Sequence, residues 1–215
     1  MSALEVIVID YGVGNLLSVQ RGLEYCGAKV TLTADPEKIL AAKRVVLPGV
    51  GAFSNAMQAL ESLGLVAVLR ELAHRGTFLL GICLGMQLLL DESEEFGNTV
   101  GLGLVPGRVV PVPSRTVSGE MQKIPHIGWS ALQPTASPGR WSGTLLQDIC
   151  PEESTYFVHS FMAVPVYSMH CIAYCEYGGH IIPAVIRKNH ITGCQFHPEK
   201  SGEVGLKVLR SFLNL

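Results

Sequence analysis

Residues 77–93 read TFLLGICLGMQLLLDES. A cysteine stands between two glycines, with one apolar run directly before it and another directly after. The first run, 77–83, has the length of a buried strand. The second, LGMQLLLDES at 84–93, has the apolar spacing of a helix. Gly81-Ile82-Cys83-Leu84-Gly85 therefore has the G-x-S-x-G layout at a strand-to-helix turn, with cysteine in place of serine. A nucleophile on so tight a turn has a strained backbone, and side chains two positions to either side would collide. The turn lifts sulfur out of the sheet and points a helix N-terminus at it, which favours thiolate. A free thiol titrates near a pKa of about 8.5, so without such help only a few per cent is ionised at neutral pH. The alternative is a buried structural cysteine beside packing glycines.

Outward from this stretch, strands and helices alternate. LEVIVID (4–10) is a near-continuous apolar run, suited to a strand covered on both faces. NLLSVQRGLEYCGA (15–28) has helical spacing and a stop at Gly27. KVTLT (29–33) and RVVLPG (44–49) read as strands. Residues 52–76 read as helices broken near Gly64 and stopped at Gly76. The expected fold is α/β, an open, mostly parallel twisted sheet flanked by helices, flavodoxin-like. From about residue 100, Pro and Gly become frequent and short strand-like runs dominate. This β-rich C-terminal half is expected to fold back on the same sheet, giving one domain over 1–215. The segment 113–145 is expected to be mobile or loop-like at its tip, and EVGLKVLRSFL (203–213) to close the chain as an amphipathic helix.

The 215 residues carry a net charge of −2, with 48% apolar and 16% charged residues. Such a chain can bury a substantial core. No concentrated basic face supports nucleic-acid binding. No apolar run reaches membrane-spanning length and no secretory leader is evident, so a cytoplasmic location is expected. Of the six cysteines, Cys26, Cys150, Cys171, Cys175 and Cys194 are expected to be small buried apolar side chains.

A nucleophilic thiol needs a base, and the base an orienting group. GCQFHPEKSG (193–202) offers both. His197 and Glu199 are two apart, which on an extended backbone puts them on one side. Pro198 between them places this piece at a strand end or edge. His74 and His190 lie in polar, turn-like contexts and are expected to be solvated. His170 and His180 have no acidic neighbour at matching spacing. His126 and His159 have apolar surroundings, where a histidine is either structural or lines a site. None of these forms a metal cluster, and no metal or cofactor is expected.

LPGVGAF (47–53) follows the third strand. Its glycines let main chain approach a developing oxyanion, with the N–H of Leu84 as the second donor. An ordinary strand-to-helix turn uses glycines equally well. DYGVGN (10–15) offers Gly12-x-Gly14 after the first strand, with Asp35 at the distance of a ribose-binding acid. However, Leu17 occupies the third position of that dinucleotide fingerprint, so the match is partial.

GICLGMQ (81–87) together with QFHPE (195–199) resembles the class I (triad) glutamine amidotransferases. LPGVGAF, PHIGWS (125–130), YFVHSF (156–161) and HPEKSG (197–202) narrow the resemblance, across nearly the whole chain and in order, to the glutaminase subunits of imidazole glycerol phosphate synthases. Sister glutaminases typically carry histidine where Met86 stands. The resemblance implies the class I glutamine amidotransferase fold and a Cys83–His197–Glu199 triad that hydrolyses glutamine through a γ-glutamyl thioester. It implies that Gly49, Val50 and Gly51 form an oxyanion switch with Leu84. It implies that Gln87, Glu95 and main chain at Ser160 and Phe161 hold the substrate, Phe161 standing where relatives often have tyrosine. It further implies a (β/α)8-barrel cyclase partner that receives the ammonia and makes imidazole glycerol phosphate and AICAR in histidine biosynthesis, with Asn15, Trp129, Tyr156 and Lys200 at or near the interface. The competing readings are the glutaminase subunit of another synthase, a stand-alone cysteine hydrolase, and a nucleotide-binding or regulatory module in which Cys83 is structural.

Overall fold

The computed structural model describes residues 4–135 and 141–215. The first half alternates as the sequence suggests: β1 (Leu4–Ile9), α1 (Leu16–Tyr25), β2 (Ala28–Thr33), α2 (Pro36–Ala41), β3 (Arg44–Gly49), α3 (Phe53–Ser62), α4 (Leu65–Arg75), β4 (Phe78–Cys83) and α5 (Leu84–Leu88). Strands dominate the rest: β5 (Glu92–Ser93), β6 (Thr99–Val100), β7 (Gly107–Pro111), β8 (His126–Ala131), β9 (Gln133–Pro134), β10 (Ser154–His159), β11 (Phe161–Pro165), β12 (Cys171–Tyr177), β13 (His180–Lys188) and β14 (Ile191–Cys194). Helix α6 (Gly202–Asn214) ends the chain.

The main sheet has the order β2-β1-β3-β4-β14-β13-β12-β9. Its first five strands are parallel and its remaining pairings antiparallel. Period-two alternation explains why these strands read as continuous apolar runs. Val6 and Val8 of β1, Val46 of β3 and Leu80 and Ile82 of β4 join one core with α1 and α6. Ile9, Val45, Leu47 and Leu79 join a second core with α2, α3 and α4. Each fully buried Leu, Ile, Val or Phe contributes about 1.5–3 kcal/mol, so a polar substitution on either face of β3 or β4 breaks a core.

Four expectations need correction. First, only β9, β12, β13 and β14 of the C-terminal half extend the main sheet. β8 pairs with β10 alone, and β11-β7-β5-β6 form a third sheet. Strand β10 is buried at alternate residues only, which fits a separate layer with one face turned outward. Second, the helix expected over 84–93 ends at Leu88. The carbonyls of Leu88, Leu89 and Leu90 accept from Leu102, Leu104, Val105 and Gly103, so an intruding loop satisfies them instead of further helix. Third, the segment 113–145 contains β8 and β9; its residues 136–140 lie outside the described residues. Fourth, Cys150 is exposed and Cys26 and Cys171 are half-buried, leaving Cys175 and Cys194 as the buried apolar pair. Burial pushes the Cys175 thiol up to about 12.

Helix α2 was not foreseen. Asp35 caps it, accepting from the N–H groups of Glu37 and Lys38, and Pro36 occupies its first turn. That capping role accounts for Asp35 and agrees with setting the partial dinucleotide match aside.

Candidate active site

The parallel strands end together, and their C-terminal edge is where an α/β sheet gathers its functional groups. In the register of the sheet, Gly49 at the end of β3 lies opposite Cys83 at the end of β4, and Cys194 of β14 opposite Ile82. The chain then runs on from β14 through Gln195 and Phe196 to His197. Residues more than a hundred positions apart thus reach one edge through two strand pairings.

Cys83 has φ 54° and ψ −111°. A non-glycine residue at such angles is strained by about 1–3 kcal/mol and persists only where its surroundings hold it. A Cβ placed on Gly85 would lie 1.9 Å from the Leu47 carbonyl oxygen, and one on Gly81 would lie 2.5 Å from the Gly85 carbonyl oxygen. The crowding inferred from sequence is therefore main chain against main chain, which cannot yield as a side chain can. Helix α5 is little more than one turn long, so its dipole acts on sulfur less than a helix over 84–93 would.

His197 and Glu199 meet differently from the expected strand edge. His197 is extended, but Pro198–Lys200 form a single 3₁₀ turn that brings the carboxylate back to the ring. The Nδ1–Oε1 distance is 2.7 Å and both side chains are almost wholly buried. His197 Nε2 is buried with no conventional hydrogen-bond partner. Burial depresses the imidazole pKa, but Cys83 and Glu199 outweigh it and lift it to about 9. Ser201, absent from the sequence reading, fixes this turn. Its hydroxyl donates to the His197 carbonyl at 2.6 Å and accepts from the Tyr156 N–H at 2.9 Å.

Cys83 and His197 line one cleft of about 390 Å³ with Val50, Gly51, Leu84, Gln87, Glu95, Ser160 and Phe161, a volume in the range of small-molecule sites. Gly49 is buried just behind, where a Cβ would meet the Tyr11 hydroxyl at 2.9 Å. Tyr11 donates to the Pro48 carbonyl at 2.8 Å, and burial first, then the nearby Cys83, raises its pKa. The DYGVGN loop thus braces the glycine strand. Gln87 spends both amide hydrogens on the Phe161 carbonyl, 2.9 Å, and on Gln195 Oε1, 3.0 Å. Its own oxygen is left to accept. Glu95 Oε2 accepts from the N–H of Phe53 at 2.6 Å, tying this carboxylate to the start of α3.

The four interface candidates stand apart from the cleft lining. Trp129 is 58% exposed and lies opposite Tyr156 across β8 and β10, with ring centroids 6.0 Å apart. Lys200 is exposed and Asn15 half-buried at the start of α1. Among the other histidines, His74 is exposed, whereas His190 is half-buried rather than solvated. His159 lines the cleft. Of the residues missed, Ser201 had one signal, its i+4 spacing from His197; Gln195 had another, its alternation with His197.

A family model described as glutamine amidotransferase class-I matches residues 7–214. The imidazole glycerol phosphate synthase subunit HisH 1 of Legionella pneumophila (strain Lens) is 50% identical over 210 residues, covering 98% of this chain and 99% of that protein. The subunit HisH of Geobacillus kaustophilus (strain HTA426) is 46% identical over 209 residues, covering 97% and 95%. The structure of PurLQS from Thermotoga maritima shares the fold, with a TM-score of 0.72 at 18% identity over 99% of both chains. With half its residues shared across nearly its whole length, the chain belongs to the class I glutamine amidotransferases and, within them, to the family of imidazole glycerol phosphate synthase HisH subunits.

Proposed function

We propose that this chain is the glutaminase subunit of an imidazole glycerol phosphate synthase, acting as one domain over 1–215. It hydrolyses glutamine to glutamate and ammonia and feeds the ammonia to a cyclase partner in histidine biosynthesis. The observation that carries the mechanism is the meeting of Cys83 with the His197–Glu199 pair in one small cleft. Cys83 attacks the glutamine side-chain amide. His197, oriented by Glu199 and with its pKa lifted to about 9, takes the thiol proton before the attack and delivers it to the departing ammonia. Water then cleaves the γ-glutamyl thioester.

The tetrahedral oxyanion is held by main chain of Gly49, Val50 and Gly51 and by the N–H of Leu84. Gln87, Glu95, Ser160 and Phe161 hold the amino-acid end of glutamine. The Gln87 oxygen accepts from the substrate, because both its amide hydrogens are already used. Ammonia released into water would be protonated and lose its nucleophilicity, so it passes directly into a (β/α)8-barrel cyclase docked around Asn15, Trp129, Tyr156 and Lys200. Loading of that partner activates the glycine strand. The reaction is cytoplasmic; among the described residues no helix is long and apolar enough to cross a membrane.

The test is glutamine hydrolysis measured with and without the cyclase and its nucleotide substrate. Strong stimulation by the loaded partner is expected, with loss of all turnover in Cys83→Ala. Partner-independent hydrolysis of unrelated amides would instead identify a stand-alone cysteine hydrolase.

A further inference from the structure

Two buried histidines remain outside the triad. His126 of β8 and His159 of β10 lie directly opposite each other in the antiparallel pair, where side chains are in contact distance. His126 Nδ1 is 3.0 Å from His159 Nε2. His126 Nε2 is 2.9 Å from the Ser130 hydroxyl, and His159 Nδ1 is 2.9 Å from the Phe161 carbonyl. That carbonyl also receives Gln87, which is bonded to Gln195, whose amide lies 3.8 Å from Cys83 Sγ.

The direction of this chain follows from its inner end. A carbonyl only accepts, so His159 Nδ1 carries a proton. Neutral His159 then accepts at Nε2, which makes His126 Nδ1 a donor and His126 Nε2 the acceptor of the Ser130 hydroxyl. A proton added to His159 would set two N–H groups against each other. Burial keeps both rings neutral: His159 is pushed down to about 4, and His126 is lowered. The His126 ring is also stacked between Tyr177 and Phe157, with centroids at 4.1 and 5.1 Å, so its orientation is fixed.

We propose that Ser130, His126 and His159 are positioning residues: a single directed hydrogen-bond chain from β8, beside the exposed Trp129, holds the Phe161 carbonyl where it aligns Gln87 and Gln195 at the nucleophile. The effect on glutamine binding rests on the function proposed above; the protonation pattern of the chain does not.

Two measurements test it. Long-range ¹H–¹⁵N spectra of the full chain at pH 7 are expected to show both imidazoles neutral with the proton on Nδ1, and Ser130→Ala is expected to move the Nε2 resonance of His126. An Nε2–H tautomer or an imidazolium at either position overturns the proposal, whether or not glutamine is the substrate. In the complex with the cyclase, His159→Asn keeps an amide N–H near the place of Nδ1, whereas His159→Gln puts its amide near Nε2. His159→Asn should leave KM for glutamine within about twofold of the parent. His159→Gln should raise it about tenfold, the equivalent of one hydrogen bond of about 1.4 kcal/mol, with kcat within about threefold. Equal KM changes in the two variants would mean that the rings only fill space. A parent complex inert towards glutamine sinks the proposed function alone, and the tautomers still decide the chain.

Discussion

His197 donates its backbone N–H to the Tyr156 carbonyl at 2.9 Å. The ring that lines the cleft with Cys83 is thereby attached to Tyr156, whose cross-strand neighbour is the exposed Trp129. Ser201 closes the connection by bonding both residues. The face on which a partner would sit and the proposed base belong to one hydrogen-bonded unit.

Removing Ser201 should therefore loosen the base without touching the reactants. Ser201→Ala leaves the Tyr156 N–H without its partner beside a buried site, while the His197 carbonyl keeps the Lys200 N–H at 3.0 Å, at a cost of about 1–3 kcal/mol of stability. Displacement of the ring lowers kcat for glutamine about ten- to a hundredfold. Denaturant titration and steady-state assay of the complex check both numbers; unchanged kcat would show that the Tyr156–His197 bond suffices.

Trp129 presents a large exposed ring on a rigid strand pair, the form that dominates interface energetics. Trp129→Ala should weaken binding to the cyclase by about 1–2 kcal/mol, roughly five- to thirtyfold. Its side chain makes no buried core, so thermal unfolding of the isolated subunit should stay the same. Titration calorimetry with the cyclase reads the first effect and scanning calorimetry the second.

The strain at Cys83 gives opposite expectations for two inactive variants. Cys83→Gly removes the Cβ that makes φ 54° unfavourable. The strain relieved, about 1–3 kcal/mol, exceeds the backbone entropy glycine adds, about 0.5–1 kcal/mol. Cys83→Gly should therefore be about 1 kcal/mol more stable than Cys83→Ala, which lacks the same sulfur, and melt about 2–4 °C higher. Cys83→Ala keeps the Cβ and should show no such gain. Both variants lose glutamine turnover. If both melt together, the turn carries no strain.

Gly85 tests the crowding itself. An added methyl group would fall 1.9 Å from the Leu47 carbonyl oxygen, so β3 and the turn cannot keep their present approach. Gly85→Ala should lose more than about 4 kcal/mol or yield only insoluble chain. A stable, active Gly85→Ala protein would show that the turn relaxes at little cost.

Much of this was legible in the sequence because it rests on local pattern. The runs at 4–9, 44–49 and 78–83 are apolar apart from Glu5 and Arg44 near their starts, and a strand covered on both faces needs such a run. The Gly81–Gly85 spacing and the His197-Pro198-Glu199 sequence each carry their own steric or chemical reason. What the sequence withheld depends on distant partners. Helix α5 stops at Leu88 because residues 101–105 take its carbonyls, and nothing within 84–93 signals that. The His126–His159 pair exists only through the β8–β10 register. The strands of the second half spread over three sheets, and the alternate burial of β10 does not say which sheet covers it. Asp35 is the opposite case: its cap is local, carried by Asp35-Pro36-Glu37 itself.

The buried histidines also set how stability responds to pH. His197 is lifted from its ordinary value near 6.5 to about 9 by Cys83 and Glu199, against burial. Folding therefore favours its proton. Its contribution is complete below about 6.5 and disappears as pH rises through 9, because there the native state binds more protons than the unfolded chain. His159 is depressed to about 4 by burial. Its contribution is complete above about 6.5 and is lost as pH falls through 4. Together they place maximum stability near pH 6.5, the alkaline limb carried by His197 and the acid limb by His159. Unfolding free energies from urea titrations between pH 4 and 9.5 should trace this dome. Cys83→Ala, which removes the largest upward influence on His197, should flatten the alkaline limb and leave the acid limb in place. His159→Asn should do the reverse. An alkaline limb that persists in Cys83→Ala would mean that Glu199 alone sustains the charge on His197.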